Sequence, residues 1–258
     1  MSLSGKPPEQ VFSPWPTVDG NVIPRQLVET FARGQQTNIP VIAGFNGGEI
    51  RSLRRLLPPP PGSAQDYVDR IRAAYGELSE GFLREYPASD LDESMLAATR
   101  DAMYGWSAQT VATAQGRLGA ASFLYLFDHG YPAAEAAGLK SFHGAELPFL
   151  FGTMRTTPPE WPAIPDTQEQ QLLSEAMIEY WSTFAKTGRP ESEAGPQWPN
   201  YMTSQQHMLF DCKSKIGGSV LDERFAIHGE TVNRRRREGD TPWHWNVGFA
   251  SPLRGEDR

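Results

Sequence analysis

The stretch Lys140-Ser-Phe-His-Gly-Ala-Glu-Leu-Pro-Phe-Leu-Phe-Gly152 decides how this chain is read. His143 is followed by a glycine and then by an apolar run interrupted by proline, the pattern of a tight loop presenting an imidazole at the end of a sheet. Imidazole takes and gives protons near neutrality, so such a loop points to general-base chemistry. A lone histidine among aromatic residues is more often a hydrogen-bonded structural side chain, and its context has to decide. That context lies upstream. Asn38-Ile-Pro-Val-Ile-Ala-Gly-Phe-Asn-Gly-Gly-Glu49 reads as a buried strand over residues 39–43 running into a glycine-rich turn that ends in a carboxylate. The C-terminal ends of strands are where α/β sheets carry functional groups.

Three segments in this order, Pro16-Thr-Val-Asp-Gly-Asn-Val-Ile-Pro24, the strand and turn ending at Glu49, and the His143 loop, resemble the second half of a type-B carboxylesterase. That α/β-hydrolase family includes the bacterial para-nitrobenzyl esterases and the cholinesterases. The resemblance runs over about residues 12–210 and implies an α/β fold in which a few mostly parallel strands are accompanied by many helices. It implies that Glu49 and His143, 94 residues apart, are the acid and base of a Ser-Glu-His triad acting on small-molecule esters with no cofactor. Where the family has glycine after the acid, this chain has Ile50.

The nucleophile is not found. It is expected in a Gly-x-Ser-x-Gly elbow ahead of the acid, and no serine here has that setting. Gly105-Trp-Ser-Ala-Gln109 comes nearest, but it lacks the last glycine, lies in a helical pattern and falls between acid and base. No glycine-rich oxyanion loop is found either. The expectation is therefore a C-terminal portion whose partner, the N-terminal portion of the same enzyme, supplies the serine. The alternatives are a catalytically inactive fragment and a non-catalytic binding or scaffold relative of the same fold.

Composition narrows the other classes. With 258 residues, 39% of them hydrophobic and 11% aromatic, a substantial core can form. The formal charge of −7 argues against a general nucleic-acid binder. The single cysteine, Cys212, rules out an internal disulfide framework and reads as an inert buried thiol. No apolar run is long enough to span a membrane, and residues 1–10 lack the apolar core of a signal peptide. The resemblance places the natural beginning further upstream, so the compartment stays unread, with the cytoplasm favoured. His143 and Glu146 stand one helical turn apart, but no third or fourth ligand accompanies them, so no metal site is expected. Glu146 is expected to bond neighbouring groups, and His129, beside Asp128, to be structural.

Along the chain, residues 1–13 read as an extended lead-in, 14–230 as the hydrolase domain and 231–258 as a tail. A short helix is expected after Pro24, and four prolines at 58–61 mark a surface boundary. Residues 63–118 read as a helical insertion divided near Gly76, Pro87 and Gly105. Ala121 to Phe127 is apolar on both faces, as a central parallel strand should be. Asp166 with Glu169 suggests a capping box for a helix ending at Gly188, and Met208 to Phe210 a last short strand. Arg234 to Arg237 fit a solvated helix face or a partner of a helix dipole.

Overall fold

The structure, a computed structural model, describes residues 17–219 and 222–237. A four-stranded sheet runs in the order β1 (Val41–Asn46), β2 (Ser122–Phe127), β3 (His207–Phe210) and β4 (Ser214–Gly217). The first two pairings are parallel and the last is an antiparallel hairpin. Ten helices accompany it among the described residues: α1 (Leu27–Ala32), α2 (Ala64–Tyr75), α3 (Ser79–Glu85), α4 (Leu91–Arg100), α5 (Trp106–Arg117), α6 (Pro132–Ala136), α7 (Leu147–Leu150), α8 (Gln168–Thr187), α9 (Tyr201–Ser204) and α10 (Asp222–Arg237). No described helix is long and apolar enough to cross a membrane.

β2 is the hinge of the architecture because alternate residues face opposite layers. Phe123, Tyr125 and Phe127 pack with Tyr180, Trp198 and Phe210 on the side of α8. Leu124 and Leu126 turn the other way, toward Phe45, Trp106 and Ala112 on the side of α5. The Trp198 indole also donates to the Leu124 carbonyl at 3.2 Å, so a buried N–H does not go unpaired. Between β1 and β2, helices α2 to α5 form the required long crossover. Two of its helices, α2 and α4, start where a side chain caps them: Ser63 accepts from Asp66 N–H, and Asp90 from Glu93 N–H. Tyr67, Ile71, Tyr75, Phe82, Tyr86 and Met95 close a second core within this insertion.

Several boundaries differ from those expected. β1 is displaced from 39–43 to Val41–Asn46, because β2 offers a partner residue for each position from Val41 to Asn46, while Ile39 remains exposed. The cap of α8 is Thr167, whose hydroxyl accepts from Gln170 N–H; Asp166 instead pairs with Arg155. Leu172, an apolar residue of α8, is half exposed, while Leu173 beside it is buried. α10 runs through the boundary placed at residue 230 and carries Arg234 to Arg237, while the 1–13 lead-in and the tail beyond 237 lie outside the described residues. Cys212 is exposed rather than buried, since it sits in the tight turn between β3 and β4 and not in a strand. On its far side from β2, β1 has no strand partner among the described residues.

Candidate active site

The parallel pairing of β1 with β2 brings two sequence-distant loops to one place. Beyond the last pair of the ladder, Gly47 N–H donates to Phe127 O at 2.9 Å and Gly48 N–H to Ser141 O at 2.9 Å. Gly48 and Phe142 then form an isolated parallel bridge, so the turn after β1 and the loop before His143 run side by side. A side chain at Gly48 would not fit: a Cβ there would lie 2.7 Å from the Leu139 carbonyl oxygen and 2.9 Å from the Ser141 backbone. The His143 loop is itself tightly turned, with Lys140 at φ 52° and Gly144 at φ 83° on either side of His143.

Within this corner Glu49 is buried and its two oxygens have separate tasks. Oε1 accepts the Asn46 backbone N–H at 2.9 Å, which fixes the carboxylate. Oε2 lies 2.5 Å from His143 Nδ1. The acceptor on that side assigns the proton to Nδ1, leaving Nε2 with a lone pair and no hydrogen-bond partner among the described residues. The His143 side chain is 48% exposed, whereas Glu49 is 6% exposed, so the carboxylate is sealed in and the imidazole faces outward. The pKa of His143 is raised above its ordinary value, chiefly by the Glu49 hydrogen bond; partial burial opposes this and the Glu49 and Glu146 charges add to it.

Asn46 is a residue the motif reading did not single out. Its side-chain amide donates to Phe142 O at 2.9 Å and to the Glu146 carboxylate, tying the acid strand to both sides of His143. Its place at the end of β1, within the quoted motif, was the available signal. Glu146 bonds a neighbouring side chain, as its sequence position suggested, and burial pushes its carboxyl upward while the Asn46 bond opposes that. Tyr104 comes from a single turn of π-helix at Asp101–Gly105 and lays its ring against His143, centroid to centroid 5.4 Å. Such turns occur often at functional sites because the extra residue re-aims a side chain. The structure does not bring Ser107 into this group. It lies in the first turn of α5 with its hydroxyl buried, and no hydrogen bond joins it to His143.

Behind the acid turn, Arg100 Nη1 donates to Gly47 O at 3.0 Å and its Nε to Asp101 Oδ1 at 2.6 Å. Asp101 Oδ2 in turn accepts from the Tyr86 hydroxyl at 2.9 Å, and that hydroxyl meets His228 Nε2 at 3.0 Å. A buried polar chain therefore runs from α10 through the insertion to the backbone beside Glu49.

Comparison with known proteins gives one consistent result. The model of the carboxylesterase family matches residues 3–227. Among curated proteins, the pyrethroid hydrolase Ces2e of Rattus norvegicus is 26% identical over 239 residues, covering 86% of this chain and 41% of that protein. The acylcarnitine hydrolase of Mus musculus is 27% identical over 253 residues, covering 89% of this chain and 44% of its own length. A solved PNB esterase superposes with TM-score 0.66 at 25% identity, over 82% of this chain and 42% of that one. The carboxylesterase of Geobacillus stearothermophilus superposes with TM-score 0.64 at 25% identity, over 82% and 45%. The chain thus spans less than half the length of these relatives.

Proposed function

The chain belongs to the carboxylesterase family, and from that premise we propose that it supplies the acid and base of a serine carboxylic-ester hydrolase. The observation that carries this reading is the 2.5 Å contact between buried Glu49 and the outward-facing His143. With Nδ1–H committed to Glu49, Nε2 is free to take the proton of a serine hydroxyl as it attacks an ester carbonyl. The imidazolium that forms is stabilised by the carboxylate, which keeps its own charge. Nε2–H then protonates the leaving alkoxide, and a water activated in the same way releases the acyl group from the serine.

The serine and the oxyanion donors are assigned to an N-terminal portion of the same enzyme. Two facts support that partner. The chain spans 41% of the pyrethroid hydrolase relative, and β1, an apolar strand, offers an unpaired edge among the described residues. A strand from the partner hydrogen-bonded along β1 would extend the parallel sheet and set the serine's helix at the same end as Glu49 and His143.

The test is reconstitution. An N-terminal portion of a family member carrying the Gly-x-Ser-x-Gly serine is mixed with this chain, and turnover of para-nitrophenyl acetate is followed. The expected result is turnover above that of either piece and its loss in His143→Ala. Binding without turnover would favour a scaffold role, and no binding would leave the inactive-fragment reading. Activity should fall as pH drops through the raised pKa of His143, above 6.5, because the protonated ring cannot accept the serine proton.

A further inference from the structure

β2 leads into Asp128-His129 and β3 leads into Asp211-Cys212. Because Asp128 N–H donates to Phe210 O at 2.8 Å, the residues following the two parallel strands emerge side by side. His129 is only 2% exposed and stands edge-on to Phe127 and Phe149. Its Nε2 lies 2.7 Å from Gln170 Oε1. An amide oxygen only accepts, so Nε2 carries the proton and Nδ1 is left with a lone pair. That nitrogen has no hydrogen-bond partner among the described residues. A buried acceptor without a partner carries a desolvation cost of about 1–3 kcal/mol, and most such groups in folded proteins are satisfied by something.

The neighbours supply what is needed. One donor atom each from His129, Asp211 and Cys212 lies within 4.8 Å of the others. Nε2 being taken by Gln170, Nδ1 is the ligand atom the histidine has to give. Lys215 Nζ sits 3.3 Å from Asp211 Oδ2, and the same carboxylate takes hydrogen bonds from Cys212, so acid and cysteine already stand side by side. Cys212 opens on a cavity of about 780 Å³ that Glu169, Leu172 and Pro196 help to line.

We propose that His129, Asp211 and Cys212 form a binding site for a borderline divalent transition cation of the Zn²⁺ class. Imidazole nitrogen, thiolate sulfur and carboxylate oxygen together suit such an ion rather than Mg²⁺ or Ca²⁺, which take oxygen alone. The fourth position faces the cavity, where Glu169, already a hydrogen-bond partner of the thiol, or a water completes the set. Gln170 acts as the outer partner that fixes the histidine tautomer. Binding replaces the Cys212 S–H bond with a sulfur–metal bond and releases that proton to solvent. The inference is independent of the esterase reading, since it uses none of the residues around Glu49.

The test uses the untagged chain and Co²⁺ as a spectroscopic probe, in a His143→Ala background so that the half-exposed imidazole beside Glu49 is silent. One equivalent should bind with a thiolate-to-cobalt charge-transfer band, Zn²⁺ should displace it, and calorimetry in two buffers should show proton release. Cys212→Ser should abolish the band, and Asp211→Asn should weaken binding by about tenfold or more. Replacing buried His129 threatens the fold, so the exposed Cys212 carries the decision, with circular dichroism confirming that the variant is folded. Absence of the band at excess Co²⁺, or equal affinity in folded Cys212→Ser, overturns the proposal.

Discussion

His143 and His228 are the same side chain held in opposite ways. His143 is half exposed and bonded to a carboxylate, which raises its pKa. His228, on α10, is fully buried against Tyr86 and Phe82, and burial lowers its pKa to about 4, with the Asp101 charge only partly opposing. One imidazole is kept ready to carry a proton and the other is kept from doing so. Burial alone therefore does not make a histidine functional; what matters is a buried acid behind a ring that still reaches solvent.

The largest effect tests the carboxylate half of that contrast. In the reconstituted enzyme, Glu49→Gln should lower kcat by about 10⁴-fold, since an amide can donate to Nδ1 and hold the wrong tautomer, and cannot stabilise the imidazolium. A loss below tenfold would mean that Glu49 does not set the state of His143. Next comes the buried chain around His228. Asp101 is completely buried, with the Arg100 guanidinium and the Tyr86 hydroxyl as hydrogen-bond partners. Asp101→Ala should destabilise the chain by about 3–5 kcal/mol in urea unfolding, because it strands the Arg100 charge. A change near zero would show that water replaces the carboxylate and that the region is wetter than the structure describes.

The third and smallest effect sharpens the contrast through pH. A histidine whose folded pKa lies below the ordinary 6.5 contributes stability above that value and loses it as pH falls toward about 4, which is the case for His228. His143, with its folded pKa raised, contributes stability below 6.5 and loses it as pH rises through the raised value. Resolved by NMR titration, the two imidazoles should move in opposite directions from 6.5. Coincident titrations would remove the distinction.

Glu49 and His143 were legible as a candidate pair because their motifs are local: a glycine-rich turn after a strand, and a histidine–glycine loop. The central strand β2 announced itself by being apolar on both faces, and the insertion by its spacing and its glycine and proline breaks. β4 was not legible, since Ser-Lys-Ile-Gly has little strand character of its own and exists as the partner of β3. The π-turn at Asp101–Gly105 was equally hidden; the break at Gly105 was visible, but not that the preceding residues would be re-aimed to lay Tyr104 on His143. Nor was the grouping of His129 with Asp211 and Cys212, because it arises from the parallel neighbours β2 and β3 and from no spacing in the chain.

The bridge between Gly48 and Phe142 bears on when the site comes into being during folding. Glu49 and His143 are separated by 94 residues, so they meet only after the whole helical crossover has closed, and closing so long a loop is slow. The insertion, with its own core, is free to form first, whereas the site has no local nucleus. Its assembly should coincide with pairing of β1 to β2. In pulsed hydrogen exchange, the Gly48 amide, which donates to Ser141 O, should gain protection in the same phase as the β1 amides and after those of α2. Protection of Gly48 ahead of β1 would show that the corner holding Glu49 and His143 organises the sheet, and not the reverse.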